Sequence, residues 1–99
     1  MAVRGETSEK TRSRIREPKR FCVIMHNDDY TPMDFVVDIL MGVFHKNEAE
    51  ANMLMMKVHK EGQATVGTYS YDIACSKQRT SMALAEEEGY PFRLSVKEV

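Results

Sequence analysis

Asn27-Asp28-Asp29-Tyr30-Thr31-Pro32-Met33 sets two carboxylates and a carboxamide directly against the start of an apolar helix face. Carboxylate and carboxamide oxygens accept hydrogen bonds from a cation, while the neighbouring face can take an apolar side chain. A free peptide N-terminus with a large first residue offers both chemistries. Its α-ammonium carries three donors and, with a pKa of about 8, is mostly charged near neutral pH. Asn27 Oδ1, a carboxylate from Asp28 or Asp29, and a ring nitrogen of His59 could each accept one donor. Charged bonds of this kind contribute about 1.5–3 kcal/mol each. The first side chain would enter a hole lined by Met33, Val36, Met55 and Val58, and its burial adds about 1.5–3 kcal/mol.

Simpler readings compete for the same residues. Asn and Asp side chains bond their own backbone, so Asn27-Asp28-Asp29 can be only a turn. His59 can be only a cation at a helix end, and the methionines of the second helix only core. An acid–base set of Asp28, Asp29 and His59 is conceivable. However, the chain has no nucleophile elbow, P-loop, dinucleotide fingerprint or zincin pattern, so no enzyme is expected. His26, Asp28, Asp29, His45 and His59 are metal ligands by type. They lack both the i, i+4 helical zinc spacing and the alternating ligands of a calcium loop, so neither metal nor cofactor is expected.

Five elements besides the leading strand must position these groups. Phe21–His26 is a nearly continuous apolar run, read as a strand. Thr31 as N-cap, Pro32 at N1 and Asp34 at N3 mark a helix start. The stripe Met33, Val36, Val37, Leu40, Met41 and Phe44 follows, with His45 and Lys46 at the C-terminal end. Asn47 and Glu50 form a capping box for a second helix, with Ala51, Leu54, Met55 and Val58 as its stripe and Gly62 as its terminator. The first two helices form a hairpin, which brings Val58 and His59 to the same end as Asn27–Met33. Residues 63–69 read as a second strand, with Ala64, Val66 and Thr68 alternating against Thr65, Gly67 and Tyr69. A third helix starts at Ser70 or Tyr71, buries a face of Ile73, Ala74, Cys75, Thr80, Ser81, Leu84 and Ala85, and stops at Gly89. Phe92, Leu94 and Val96 alternate in a third strand. The order β-α-α-β-α-β implies an α/β (α+β) two-layer sandwich, a three-stranded antiparallel sheet covered by three helices. The C-terminal domain of the ribosomal stalk protein shares this topology.

Charge divides the chain in two. Residues 1–20 hold seven Lys/Arg, three Asp/Glu and four apolar residues, which predicts a mobile basic arm over 1–19 and a folded domain over 20–99. Residues 21–99 hold seven Lys/Arg and twelve Asp/Glu. A body of that sign repels phosphate, so no nucleic-acid partner is expected. No apolar run is long enough to span a membrane and no apolar h-region follows the N-terminus, so neither a membrane nor a secretory signal is expected. Cys22 and Cys75 form no local motif, which fits free thiols in a reducing cytoplasm.

The string Asn27-Asp28-Asp29-Tyr30-Thr31-Pro32-Met33, then Phe35-Val36-Val37, Val58-His59, Gly62, Gly67, Tyr69, Lys77, Gly89 and Pro91, resembles the bacterial ClpS adaptor family over residues 20–99. The resemblance implies a monomeric cytoplasmic N-end rule adaptor. Such an adaptor holds proteins whose first residue is Leu, Phe, Tyr or Trp. It delivers them to the N-terminal domain of the AAA+ unfoldase ClpA, which feeds the ClpP peptidase. It places the α-amino contacts on Asn27, Asp28 or Asp29, and His59, with Asp29 ranked above Asp28. It adds Thr31 and Phe92 to the side-chain pocket of Met33, Val36, Met55 and Val58. Unfoldase docking maps near Asp72 and Lys77, and the arm is engaged during transfer. Several positions depart from the family pattern: His26 replaces an apolar residue, Phe92 a Leu, Cys75 a charge, and Ala85-Glu86 an Ala-Arg pair. Such departures would suit a second proteobacterial paralogue. The alternative is an interaction domain of the same fold that does not read N-termini.

Overall fold

A computed structural model describes residues 18–99. The expectations for the basic arm at 1–17 lie outside the described residues. Six elements follow in order: β1 (Phe21–His26), α1 (Met33–Gly42), α2 (Glu48–Glu61), β2 (Gln63–Tyr69), α3 (Tyr71–Glu88) and β3 (Arg93–Glu98). The three strands form one antiparallel sheet, as the sequence predicts, and lie in the order β2-β1-β3.

The apolar run of β1 is explained by its central place. Val23 and Met25 point into the core and are fully buried, while Cys22, Ile24 and His26 are half-buried on the other face between flanking strands. Leu40 and Ile39 from α1, Ala51 and Val58 from α2, and Ala74 and Ala85 from α3 close over the inner face. The small residues of α3 let that helix approach the sheet closely. Ile73 and Leu84, expected on its buried face, are instead 49% and 39% exposed. In β2 the register slips opposite Val23/Ile24. Ala64 and Val66 point inward as the alternation predicts, but the bulge at Val66 turns Thr68 outward, so the predicted alternation breaks after Val66.

Both ends of α1 differ from the sequence expectation. The helix is capped at Pro32, whose ring has no polar atom to offer the first-turn amides, while the Thr31 hydroxyl donates to Asp28 Oδ2. Asp34 Oδ1 accepts from the Phe35 amide rather than closing a capping box. At the other end the helix stops at Gly42. Phe44 turns into the core, and His45 takes a left-handed conformation at φ 58° in the turn instead of ending a helix. The Lys46 amide reaches back to the Leu40 carbonyl at 3.0 Å. By contrast, the Asn47/Glu50 box forms with both bonds present.

Lys77 ties the layers together. From α3 its Nζ donates to the Val43 carbonyl at 2.7 Å, one of the acceptors that the end of α1 leaves without a helical partner. The same ammonium lies 5.8 Å from the Phe44 ring centroid and 5.4 Å from that of Tyr69. Gly67 leaves room for this arrangement, since a Cβ there would run into the Tyr69 ring.

Candidate functional site

A cavity of about 370 Å³ opens where the turn after β1, the start of α1 and the end of α2 meet. The hairpin of α1 and α2 brings these segments together, and one backbone bond locks them. The Asn27 amide donates to the Gly62 carbonyl at 2.9 Å. Gly62 adopts φ 90°, a conformation an L side chain resists, and so ends α2 one turn beyond His59.

The acidic pair divides into two roles. Asp28 Oδ1 accepts from the Tyr30 amide at 2.8 Å and the Thr31 amide at 2.7 Å, and Oδ2 accepts from the Thr31 hydroxyl at 2.7 Å. That carboxylate shapes the turn, as the simpler reading anticipates. Partial burial pushes its pKa up, but the bonds from the Thr31 hydroxyl and the Thr31 and Tyr30 amides together outweigh this and hold it below the ordinary 3.8. Asp29 is exposed, and its carboxylate has no hydrogen-bond partner among the described residues. The Asn27 side chain and the His59 ring are likewise exposed and uncommitted among those residues. Three acceptors of different type therefore stand open at one mouth.

A testable consequence concerns Asp28. A depressed folded-state pKa contributes stability that is complete above the unfolded value and lost as pH falls through the folded one. The 27–31 turn should therefore hold through mildly acidic pH and loosen only below about pH 3.8. Following the Tyr30 and Thr31 amide resonances during acid titration checks this. Asp28→Ala is expected to cost about 0.5–2 kcal/mol in chemical denaturation, the range for losing a side-chain cap. Amide resonances that do not move while Asp28 protonates would contradict it.

The wall of the cavity is apolar. Val36 and Val58 are almost fully buried at its base, Met55 is half-buried, and Met33 stands 44% exposed at the rim. Thr31 and Pro32 complete the side next to α1. Phe92 does not line it. Its ring is 3% exposed and lies 5.8 Å from the Phe35 ring at 87°. Phe35 also meets Tyr90 edge-on at 5.0 Å. This aromatic packing draws Phe92 beneath α1 and into the wall of a separate groove. Tyr30 and Pro32 are lining residues the sequence reading passed over, and Tyr30 is the more prominent. It is 78% exposed at the mouth, and its position between Asp29 and Thr31 was the available signal.

The remaining candidates lie elsewhere. Asp72 is exposed in the first turn of α3, and Lys77 makes the tie to Val43. Val43 follows α1 at the end opposite Met33, a helix of ten residues that spans about 15 Å. His26 Nε2 pairs with the Ser95 hydroxyl on the outer sheet face. Among the described residues no three His, Cys, Asp or Glu side chains gather to hold a metal. Cys22 and Cys75 are both free. No described helix is long and apolar enough to cross a membrane.

Residues 16–95 match the family model described as ATP-dependent Clp protease adaptor protein ClpS. The chain belongs to the ClpS family. It is 48% identical over 86 residues to the ClpS of Syntrophus aciditrophicus, covering 87% of this chain and 80% of that one. Identity to the ClpS of Wolinella succinogenes is 47% over 93 residues, covering 94% and 91%. The solved structure of Agrobacterium tumefaciens ClpS2 bound to L-phenylalaninamide superposes with a TM-score of 0.82 at 35% identity. That match covers 84% of this chain and all of the other. As a ClpS protein the chain is an adaptor of the Clp protease, and its relatives are named as adaptors rather than as enzymes.

Proposed function

We propose that this adaptor reads the free N-terminus of a substrate protein and delivers it, without catalysis of its own, to the unfoldase ClpA of the ClpAP protease. The observation that carries the reading is the pairing of three open acceptors, Asn27, Asp29 and His59, with the apolar cavity of Met33, Val36, Met55 and Val58. An α-ammonium satisfies the first set and a Leu, Phe, Tyr or Trp side chain fills the second. The Agrobacterium relative supports this, because its bound L-phenylalaninamide carries a free α-amino group and a large aromatic side chain. An interaction domain that does not read N-termini would have no use for uncommitted polar acceptors around an apolar hole.

Docking to the unfoldase is assigned to the α3 surface around Asp72, with Lys77 behind it. This face adjoins the far end of α1, so docking leaves the cavity mouth unobstructed. The arm at 1–19 serves transfer, and the cytoplasm is the site of action. A reporter protein beginning with Phe should be degraded by ClpAP faster when this chain is added, and one beginning with a blocked residue should not. Removing residues 1–17 should leave peptide affinity within about twofold and impair degradation of the reporter. A loss of peptide affinity of about tenfold on that deletion would place the arm in the pocket and contradict this division of labour.

A further inference from the structure

Two methionines line the adaptor cavity, and they differ in their access to water. Met33 stands exposed at the rim, at the first position of α1, whereas Met55 is half-buried on α2. Elsewhere Met25 is fully buried in the core and Met82 is half-buried on α3. Met41, Met53 and Met56 are exposed, but none of them lines the cavity. Among the described methionines, Met33 alone is both exposed and part of the cavity wall.

That combination makes the wall chemically alterable. Val36, Val58 and Pro32 beside it offer no atom that a mild oxidant attacks, but a thioether does. With hydrogen peroxide the sulfur attacks one peroxide oxygen, the O–O bond breaks and an S–O bond forms. The sulfur gives up two electrons, and the rest of the peroxide leaves as water. The product carries a strong acceptor oxygen where the side chain had been apolar and flexible.

We propose that Met33 is a reversible oxidation site whose sulfoxide closes the cavity to apolar first residues, an inference that rests on the reading of N-termini above. A Phe or Leu side chain entering the cavity strips water from the Met33 side chain. The thioether loses little by this. A sulfoxide oxygen loses its water, and the apolar wall of Val36, Met55 and Val58 offers it no donor. Asn27, Asp29 and His59 are not oxidised by this route, so the change falls on the side-chain half of recognition. A dithiol-dependent sulfoxide reductase restores the cavity, releasing the oxygen as water and ending with its own thiols as a disulfide.

The test uses the full chain and a Phe-first peptide with a fluorophore at its C-terminus. Hydrogen peroxide is added until mass spectrometry of proteolytic fragments shows one added oxygen on Met33 and none on Met25. Anisotropy titration should then show binding weakened by at least about tenfold, with unchanged circular dichroism. Reductases for both sulfoxide epimers should restore the affinity. Dithiothreitol, which returns oxidised Cys22 and Cys75 to thiols, should not. Met33→Leu, compared with itself before and after peroxide, should keep its affinity within about twofold, while Met53→Leu should lose it as the parent chain does. An untreated chain that does not bind the peptide would refute the reading of N-termini and this inference with it. Normal untreated binding that survives Met33 oxidation, an equal loss in Met33→Leu, or a Met33 left intact when Met53 is fully converted would each overturn the oxidation site alone.

Discussion

Asp29→Ala and His59→Ala should each weaken binding of a Phe-first peptide by about ten- to a hundredfold. That corresponds to about 1.5–3 kcal/mol, the scale of one hydrogen bond to a charged group. The α-ammonium has three donors, and the cavity mouth offers three uncommitted acceptors. Asp28 cannot serve as a spare, because its carboxylate is occupied by two amides and a hydroxyl of its own turn. Removing Asp29 or His59 leaves one donor of the bound ammonium facing an empty position. The two losses should not add, since the acceptors share one ligand group. Both residues are exposed, so neither change should lower stability by more than about 0.5 kcal/mol. Anisotropy titration alongside thermal melts separates the effects. Losses below about threefold for both variants, with unaltered melting, would contradict the assignment.

Lys77→Met should destabilise the folded domain by about 1.5–3 kcal/mol in urea denaturation, even though Lys is ordinarily a surface residue. Its ammonium answers the Val43 carbonyl at 2.7 Å and sits beside the Phe44 and Tyr69 rings. Methionine keeps the aliphatic packing and removes only the charge and donors, so a loss reports that tie. The consequence bears on docking. A Lys77 variant that fails to bind the unfoldase has two explanations, a lost contact and a loosened end of α1. Asp72→Ala has only the first, because Asp72 is exposed and makes no hydrogen bond among the described residues. Impaired docking by Asp72→Ala with normal stability would support the α3 face. A midpoint for Lys77→Met equal to that of the parent chain would show that the tie contributes nothing.

Local signals were legible where nothing distant competed with them. The Asn47/Glu50 box and the glycine ends of α2 and α3 involve residues within one turn of each other, and each forms as expected. The Thr31 cap failed because the helix starts at Met33 with Pro32 at the cap position, while the Thr31 amide and hydroxyl join the turn held by Asp28. The end of α1 was overextended because periodicity continues to Phe44, while Phe44 reaches the core through a turn that Lys77 helps close. The β2 bulge depends on the register with β1, which no window of seven residues contains. Within the candidate site, the hairpin argument correctly brought Val58 and His59 to Asn27–Met33. Phe92 was misplaced, since its environment is set by Phe35 and Tyr90 from two other segments.

The central claim is that the cavity recognises a free α-amino group together with a bulky first side chain. It is tested most directly by titrating one peptide sequence with a free Phe, an acetylated Phe or a Val at its N-terminus. Acetylation removes the charge and two donors, leaving Asn27, Asp29 and His59 without partners at the mouth. Valine keeps the amine, but its branched Cβ stiffens the side chain and leaves the apolar floor underfilled. The free Phe peptide should bind, the Val peptide should be weaker, and the acetylated peptide should fail to saturate. Equal binding of free and acetylated Phe peptides would contradict the reading.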